Sequence, residues 1–301
     1  MSHRRNLVIV RAGDTSLHPR WLIDAEHRSW DLVVNYFGDD PEKYLRPDVT
    51  RICSKGAKWP ALQRLIESQS ELIRRYDYVW LPDDDIDCRA QDIDRIFDIS
   101  RRRGLLLAQP ALTPASHFSW IVTLKSPLVR LRYTNFVELM VPCFEREFLM
   151  RCVASMAENV SGWGLDLLWP TQVSEPRRIA ILDSVAVTHT RPIGAANYQH
   201  LRDRGGTALD ELRQCLASHQ IWNPVIRIEA VSTWGNFCLA GRSPLARMLL
   251  WGGRIVNIVH ASALRYETCW QLRTKLRENR SSPLDEPDRL STEQLRAFQN
   301  E

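Results

Sequence analysis

The stretch Tyr76–Asp87 constrains the fold more than any other part of the chain, because an apolar run ends there abruptly in carboxylates. Its tyrosine, valine and tryptophan residues favour a pleated, half-buried strand. Pro82 cannot donate a ladder hydrogen bond, so the strand ends close to it. Four of the next five residues are aspartates: Asp83, Asp84, Asp85 and Asp87. The sequence therefore predicts a strand whose carboxyl end carries a crowded acidic cluster.

Negative charges at this spacing repel, and each disfavours ionisation of its neighbours. A divalent cation is the simplest compensation, and the carboxyl ends of strands in an open α/β sheet are where ligands bind. Asp83 and Asp85 are therefore predicted to hold a metal ion that in turn holds a diphosphate. The alternative is an ordinary acidic loop or helix N-cap, because aspartate is common in both.

Two rival acidic motifs fit these residues less well. Asp83-Asp84-x-x-Asp87 also matches the acidic motif of isoprenoid synthases, but that motif lies on a helix of an all-α protein, and here a strand precedes it. Asp85-x-Asp87 resembles the start of a phosphatase aspartyl motif, but Cys88 follows where a threonine or valine is expected.

Composition is that of an ordinary globular protein, with 44% hydrophobic and 25% charged residues among 301, enough for a sizeable core. The net charge of +4 suits anionic ligands such as nucleotides, but basic residues do not alternate with aromatics, so no nucleic-acid partner is expected. The seven cysteines include no C-x-x-C pair, which argues against a disulfide scaffold or zinc site and favours a reducing compartment. Without a signal-peptide pattern or an apolar run of about 20 residues, we expect a cytoplasmic protein.

The order of predicted elements is typical of a layered α/β fold. Apolar runs predict strands at 6–10, 30–37, 76–81, 105–108, 136–144 and 179–187. Apolar residues recurring on one face predict helices at 59–76, 93–103, 148–156, 165–173 and 207–216. Two prolines predict a loop at 109–114, and residues 115–135 are expected to be irregular.

The first predicted strand runs into a loop that is a candidate for contact with a nucleotide. A glycine among small polar residues after a first strand suits close approach of the backbone to a ligand, although an ordinary turn is the alternative. The predicted nucleotide contacts are Arg11, Gly13 and Asp14 of this loop, together with Asp83 and Asp84.

A second candidate loop begins with two glycines around a tryptophan, at Gly162, Trp163 and Gly164. This pattern suggests a tight approach of backbone to a ligand, with the indole as a sugar-stacking platform. Trp163 and Gly164 are therefore predicted to contact a sugar. Asp166 stands at the start of the short helix that follows, where an acid that merely favours the helix N-terminus is the alternative.

Two single residues are further candidates. Glu138 interrupts an apolar run, and a buried carboxylate there is costly unless it is partnered or belongs to a site; alternation that points it towards water is the other reading. His189 follows a predicted strand. An imidazole that reaches an acidic cluster is a suitable third ligand for an Mn²⁺-type ion.

Residues 245–266 are apolar and basic. Such a segment either lies on an anionic membrane surface, here the inner one, or packs on the protein's own core. Residues 221–280 are predicted to be a mostly helical extension that packs on a domain formed by residues 1–220. Residues 281–301 are polar and acidic and are predicted to be a flexible tail.

Six motifs, taken in order, resemble the family called domain of unknown function seven-zero-seven, which occurs in plants and bacteria. They are Gly13-Asp14-Thr15-Ser16-Leu17-His18-Pro19-Arg20-Trp21, Asp83-Asp84-Asp85, Gln109-Pro110-Ala111, Val137-Glu138-Leu139-Met140, Trp163-Gly164-Leu165-Asp166 and Val187-Thr188-His189. The resemblance spans about residues 5–200 and implies one GT-A-like (Rossmann-like) α/β domain with a mixed central sheet flanked by helices. Plant members carry Asp-Glu-Asp at the acidic motif, where this chain has Asp84 in the middle.

The resemblance to glycosyltransferases of GT-A type implies a role for each site residue. The donor contacts would be Arg11, Gly13, Asp14, Asp83 and Asp84, and the acceptor contacts would be Trp163 and Gly164. Asp83 would approach the nucleotide ribose or the sugar, Asp85 would bind Mn²⁺ or Mg²⁺, and His189 would add a nitrogen ligand. Asp166 lies in a segment similar to the acceptor segments of inverting enzymes and would be the general base. Glu138 would stabilise the positively charged sugar of the transition state.

The sequence is therefore interpreted as a metal-dependent glycosyltransferase of polysaccharide biosynthesis, inverting if Asp166 is the base. The donor is a nucleotide sugar, with a uridine diphosphate sugar favoured by the resemblance alone, and the acceptor is a hydroxyl of a glycan or of a lipid-linked molecule. Two alternatives stay open, a sugar-phosphate transferase and a non-catalytic module that binds nucleotide sugars or glycans.

Overall fold

A mixed sheet of eleven strands forms the centre of the molecule. The structure, a computed structural model, describes residues 4–193, 201, 206–222, 224–235, 237–263 and 288–289. The strands are β1 (Asn6–Ala12), β2 (Trp30–Tyr36), β3 (Thr50–Cys53), β4 (Tyr78–Trp80), β5 (Ile86–Asp87), β6 (Leu107–Leu112), β7 (Val129–Thr134), β8 (Cys143–Glu145), β9 (Ile179–His189), β10 (Val225–Ile226), β11 (Ile228–Thr233), β12 (Cys238–Ala240) and β13 (Asp288–Arg289). β10 and β13 form a separate two-stranded sheet.

Helices cover both faces of this sheet. They are α1 (His18–Trp21), α2 (Lys58–Ser68), α3 (Ser70–Ile73), α4 (Ala90–Arg103), α5 (Arg146–Cys152), α6 (Leu165–Thr171), α7 (Ala208–Ser218) and α8 (Pro244–Ala263). Short 3₁₀ segments lie at Ile121–Thr123 and Val153–Glu158. The predicted α/β class, with a mixed central sheet flanked by helices, is confirmed.

The order of the strands fixes where a ligand can bind. The order is β12-β11-β7-β9-β6-β8-β4-β1-β2-β3, and β5 pairs with β9. Strands β3, β2, β1 and β4 are parallel, as are β6 and β9. The chain moves outward from β1 to β3 and then returns to the other side of β1 as β4, so the strand order reverses between β1 and β4. Open α/β sheets bind ligands at the carboxyl ends of strands at such a reversal.

The apolar run of β1 explains how the sheet is buried on both faces. Successive side chains of a strand point to opposite faces. Val8 and Val10 pack into the apolar cluster that contains α4 residues, whereas Leu7 and Ile9 pack into the cluster that contains α2 and α5 residues. All four side chains have no solvent exposure, as predicted for a central strand.

Two predicted strands differ from the structure. The run predicted as a strand at 136–144 becomes one only at Cys143, and residues 136–142 form a buried loop. The loop satisfies its backbone elsewhere, since Met140 and Pro142 carbonyls accept from Asp83 and Leu81 N–H at 2.7 and 2.9 Å. An apolar run marks burial, and burial alone does not distinguish a strand from a packed loop.

The loop predicted at 109–114 is mostly strand, because β6 continues to Leu112. Pro110 lies where the pairing of β6 with β9 shifts register, between the pairs Pro110–Leu182 and Ala111–Ala186. A bulge is one of the few places where a sheet tolerates proline. Likewise, the segment expected to be irregular at 115–135 contains β7, and the helix predicted at 59–76 is divided into α2 and α3.

A buried ion pair holds the middle of the sheet at this bulge. Arg132 of β7 donates to both carboxylate oxygens of Asp183 at 2.8 Å, and both side chains are almost fully buried. The same guanidinium donates to the carbonyls of Val122 and Leu124, and Ser126 N–H donates to Asp183 at 2.6 Å. The pair therefore joins β7, β9 and the segment that connects β6 to β7.

The C-terminal extension contributes strands as well as a helix. Residues 221–280 were expected to be mostly helical, but β11 pairs with β7 of the main sheet and with β12 before α8 begins. The boundary placed after residue 220 stays a prediction, as does the tail at 281–301, which lies outside the described residues except for β13. None of the described helices has both the length and the apolar character needed to span a bilayer.

We predict that Arg132→Met lowers the free energy of unfolding by about 3–5 kcal/mol, because it leaves the carboxylate of Asp183 buried without its cation. Urea denaturation measures the change. The control is Arg102→Met, which removes an exposed ion pair with Asp98 on α4 and should change stability by less than about 1 kcal/mol. Equal losses in both variants would contradict a structural role for the buried pair.

Candidate functional site

The acidic cluster lies where the strand order reverses, directly after β4. Asp83 N–H donates to the Met140 carbonyl at 2.7 Å, and the Asp84 carbonyl accepts from Leu17 N–H at 2.6 Å. The loop after β1 and the segment 136–142 therefore fix the backbone of the cluster from two sides. The loop after β1 borders the crevice between β1 and β4, whereas the segment 136–142 leads into β8 on the other side of β4.

Asp83, Asp85 and His189 come together as predicted. One possible ligand atom from each lies within 4.8 Å of the others. The cause is the short strand β5, whose Ile86 pairs with His189 at the end of β9. Thr190 N–H also donates to the Asp85 carbonyl at 3.1 Å. Backbone pairing thus brings together ligands that are more than a hundred residues apart in sequence.

The donor set fits a divalent ion of the Mn²⁺ or Mg²⁺ class. His189 Nδ1 lies 2.9 Å from the His117 carbonyl, so this nitrogen carries the proton and Nε2 faces Asp85 at 3.2 Å. Among the described residues, Asp85 Oδ1 is buried and has no hydrogen-bond partner. Two carboxylates and one oriented imidazole are a suitable set for such an ion.

Electrostatics couple Asp85 and His189 closely. Burial alone would raise the pKa of Asp85, but the hydrogen bond and charge of His189 outweigh it, so this pKa is lowered. Burial alone would lower the pKa of His189, but Asp85 raises it above its ordinary value. A metal ion that takes the Nε2 lone pair must therefore displace a proton.

Lys58 is a member of the site that sequence reasoning missed. Its side chain is only 11% exposed and its ammonium contacts Asp83 Oδ1 and donates to the Leu139 carbonyl at 3.0 Å. The residue opens α2, twenty-five positions before Asp83. No local pattern marks it, because a lysine at the start of a helix is common and its partner is distant.

Asp84, a predicted donor contact, supports the neighbouring loop. Its Oδ2 accepts from Gly13 N–H at 2.8 Å, and its Oδ1 accepts from Arg191 at 3.2 Å. Arg191 also donates to the Thr15 carbonyl. Burial raises the pKa of Asp84, although the Gly13 N–H and Arg191 oppose that shift. Its contact with a donor, and that of Gly13, stay predictions.

Arg11 is buried at the end of β1 and ties three strand ends together. Its guanidinium donates to the side chain of Asn35, to Ser54 and, at 2.6 Å, to the Gly56 carbonyl. Burial, assisted by Arg64, lowers its pKa to about 10. A direct contact with the donor stays a prediction for this residue.

Asp14 is exposed at the tip of the same loop, where its carboxylate accepts from the hydroxyl of Tyr36. The Tyr44 hydroxyl donates to the Gly13 carbonyl at 2.8 Å. Two tyrosines thus hold the loop, and Asp14 stays a predicted donor contact.

The two glycines around Trp163 have a packing explanation. Both have positive φ, at 90° for Gly162 and 100° for Gly164. A Cβ on Gly162 would overlap Nε1 of Trp59, and one on Gly164 would lie 2.9 Å from Sγ of Cys215. Packing against protein side chains therefore explains both glycines, and the predicted close approach by a ligand stays a prediction.

Trp163 is half-buried against an apolar cluster that includes Phe136 and Leu212. Glu211 of α7 holds the preceding backbone, because its carboxylate accepts from Val160 and Ser161 N–H at 3.0 and 2.7 Å. Glu211 gave no sequence signal, since an acid in the first turn of a helix is ordinary. A sugar contact by Trp163 and Gly164 stays a prediction.

Asp166 and Glu138 form a second acidic pair. Burial, together with the negative charge of Glu138, raises the pKa of Asp166 to about 7, although backbone N–H groups oppose the shift. Glu138 is 3% exposed and accepts from Ser119 N–H at 3.1 Å. The alternative that Glu138 points towards water is therefore wrong, because its side chain is buried. Its own N–H donates to the side chain of Gln109 at 2.7 Å.

The segment 138–140 links this acidic pair to the three possible metal ligands, Asp83, Asp85 and His189. Glu138 supplies the negative charge beside Asp166. The carbonyl of residue 139 accepts from Lys58, and the carbonyl of residue 140 accepts from Asp83 N–H. One three-residue segment therefore contacts both the predicted catalytic pair and the predicted metal ligand Asp83.

Comparison with known proteins supports part of the resemblance. Residues 48–134 match the family model described as Protein of unknown function (DUF707). The resemblance inferred from the motifs is thereby confirmed over this segment, which contains Lys58 and Asp83–Asp85. Glu138, Asp166 and His189 lie beyond it. No curated protein sequence matches the chain.

Several solved structures are remotely similar. A protein from Desulfovibrio desulfuricans G20, provisionally described as a nucleotide-diphospho-sugar transferase, has 12% identity and a TM-score of 0.37, over 70% of this chain and 97% of that one. A197 from STIV has 11% identity and a TM-score of 0.35, over 78% and 93%. TarS 1-349 from S. aureus has 9% identity and a TM-score of 0.42, over 61% and 59%.

We predict that Asp85→Asn weakens Mn²⁺ binding by at least about tenfold, because it removes a charged ligand and keeps its shape. Isothermal titration measures the affinity. Asp87→Asn is the matched control, since Asp87 is exposed and pairs only loosely with Arg20, at 3.8 Å. Affinity should also fall as pH drops through the raised pKa of His189. Equal affinities in the two variants would reject the triad as the binding site.

We predict that Asp166→Asn stabilises the protein increasingly as the pH rises. The folded protein binds the Asp166 proton more tightly than the unfolded chain does. The free energy of unfolding of the wild type therefore falls as the pH rises from the ordinary carboxyl pKa to about 7. The variant avoids this loss, and its advantage in free energy of unfolding should reach about 2–4 kcal/mol by about pH 8. Urea denaturation across pH tests this, and an advantage that does not change with pH would contradict it.

Proposed function

We propose that this protein is a metal-dependent glycosyltransferase that moves a sugar from a nucleotide-sugar donor to a hydroxyl acceptor. The observation that carries the proposal is the convergence of Asp83, Asp85 and His189 at the reversal of strand order, where open α/β sheets bind nucleotides. The resemblance favours a uridine diphosphate sugar as donor, and a glycan or lipid-linked molecule as acceptor.

The donor diphosphate would lie against the acidic cluster. Asp83, Asp85 and His189 would hold Mn²⁺ or Mg²⁺, which when bound neutralises the charge of the leaving nucleoside diphosphate. Lys58 and Arg191 stand beside Asp83 and Asp84 and add fixed positive charge at the same place. The protein thus balances its own carboxylates and can still attract an anionic ligand.

The acceptor hydroxyl would lose its proton to Asp166. A general base works best with a pKa near the operating pH, and burial beside Glu138 raises the pKa of Asp166 to about 7. Glu138 would then have two roles, since its charge keeps Asp166 basic and also stabilises a positively charged sugar. Direct attack by the activated hydroxyl would invert the anomeric centre.

Two alternatives differ from this proposal in their products. A sugar-phosphate transferase would form a phosphodiester, which mass spectrometry distinguishes from a glycoside. A binding module would consume no donor with any acceptor pool. The raised pKa of Asp166 favours an enzyme, because ligand binding alone does not require a carboxyl group tuned to accept a proton.

A thermal-shift screen of nucleotide sugars with and without Mn²⁺ identifies the donor, because a ligand of the native state raises the melting temperature. With that donor, Asp166→Asn should lower kcat by about 10²–10⁴-fold and leave donor affinity unchanged. Retained turnover would remove Asp166 as the base.

The pH profile gives a second and independent test. Wild-type activity should rise with pH through about 7, following ionisation of Asp166. Glu138→Gln removes a negative charge and should move this midpoint to lower pH, because the charge of Glu138 contributes to the raised pKa. A midpoint that stays in place would show that another group controls the rate.

A further inference from the structure

Lys58 holds a positive charge in a fixed position against one of the possible metal ligands. Its ammonium contacts Asp83 Oδ1 and donates to the Leu139 carbonyl at 3.0 Å. The ring centre of Trp59 lies 4.6 Å from the same nitrogen, which adds a cation–π contact. Because the side chain is only 11% exposed, it is packed in place, unlike a lysine on the surface. The charge is therefore held beside Asp83.

The topology places this ammonium at the ligand-binding edge of the sheet. Strands β3, β2, β1 and β4 are parallel, so their carboxyl ends all lie at one edge. The chain leaves β3 at this edge, and α2 begins at Lys58 shortly afterwards. Lys58 therefore stands at the edge where the diphosphate of the proposed donor would bind.

The Lys58 ammonium also has a hydrogen-bond donor to spare. An ammonium group carries three N–H donors. Within the part of the chain that the structure describes, two protein groups accept from it, the Asp83 carboxylate and the Leu139 carbonyl. One N–H therefore remains available to water or to a bound anion at this edge.

The same charge opposes a bare divalent ion at the neighbouring position. Asp83 is the partner of Lys58 and also one of the three possible metal ligands, with Asp85 and His189. Ordinary N–H···O and metal–oxygen distances place an ion on the Asp83 carboxylate about 4–6 Å from the ammonium. Like charges at that separation repel, and the ammonium already occupies one of the two carboxylate oxygens. Lys58 therefore weakens the binding of an ion that arrives alone.

The effect of the ammonium on a diphosphate has the opposite sign. Phosphate oxygens are negatively charged acceptors, and lysine binds them as a compact point charge. The Arg191 guanidinium, 3.2 Å from Asp84 Oδ1, adds a second positive group from the segment that follows β9. The chain's own charges therefore favour an ion that is accompanied by a diphosphate over the bare ion.

We propose that Lys58 is the residue that makes this site select a divalent ion together with a nucleoside diphosphate over the ion alone. Lys58 weakens the affinity for the bare ion, and it strengthens the affinity of the ion-loaded protein for the diphosphate. The inference rests on the proposed function for the identity of the two ligands. It goes beyond that function because it assigns opposite effects on them to one side chain.

Isothermal titration of the full-length chain separates the two effects. With Mn²⁺ alone, Lys58→Met should bind at least about fivefold more tightly than the wild type, because the competitor for Asp83 and the repelling charge are both removed. With protein saturated in Mn²⁺, the same variant should bind uridine diphosphate or guanosine diphosphate at least about tenfold more weakly, because a charged phosphate contact is lost. Damage to the fold or to the position of Asp83 would weaken both, so opposite signs distinguish the proposed role from a structural one.

Two further variants serve as controls. Lys55→Met removes an exposed lysine of the same segment, whose ammonium contacts Asp39 and the carbonyls of residues 37 and 38. It should leave both affinities unchanged. Lys58→Arg keeps the positive charge and should bind both ligands more nearly as the wild type does than Lys58→Met. Circular dichroism checks that every variant is folded.

The outcomes separate this inference from the proposed function. If the wild type binds Mn²⁺ and a nucleoside diphosphate, then unchanged or weaker Mn²⁺ binding by Lys58→Met overturns the role of Lys58 and leaves the proposed function standing. Unchanged diphosphate binding by that variant does the same, as do equal effects in Lys55→Met. A wild-type protein that binds neither Mn²⁺ nor a nucleoside diphosphate overturns both proposals.

Discussion

Charge compensation at the carboxyl end of β4 is the interaction on which the rest of the structure depends. Three consecutive aspartates each stand beside a basic side chain from a distant segment: Asp83 beside Lys58, Asp84 beside Arg191 and Asp85 beside His189. These partners come from the start of α2 and from the end of β9. The start of α2 and the end of β9 therefore meet at the acidic cluster. Their basic side chains offset the repulsion between the three carboxylates.

The sequence predicted best where a residue's role depends on its immediate neighbours in the chain. The uninterrupted apolar run of β1 required burial on both faces, and two helical layers provide it. Asp83 and Asp85 follow a strand, and His189 ends another, so their convergence could be expected from the tendency of strand ends to meet at one edge of a sheet. The basic partner of each aspartate could not be predicted, because the strand that aligns the acidic cluster with β9, β5, is only two residues long.

Sequence reasoning failed where distant contacts decide the structure. Lys58 and Glu211 act on residues far away in sequence, and each is unremarkable where it stands. Apart from Glu138, residues 136–142 are apolar because protein surrounds them, and a sequence pattern cannot separate such burial from strand formation. Gly162 and Gly164 are glycines because Trp59 and Cys215 occupy the space of a side chain, a constraint that only the packed molecule reveals.

The segment 138–140 touches both halves of the proposed chemistry within three residues. One end places a charge beside Asp166, and the other end holds the backbone of Asp83 and the ammonium of Lys58. Both ends of the segment are consequently held in place. Inserting or deleting one residue there would misplace the carboxyl group of Glu138 relative to that of Asp83. Homologous chains that retain both acidic groups should therefore vary in the composition of this segment before they vary in its length.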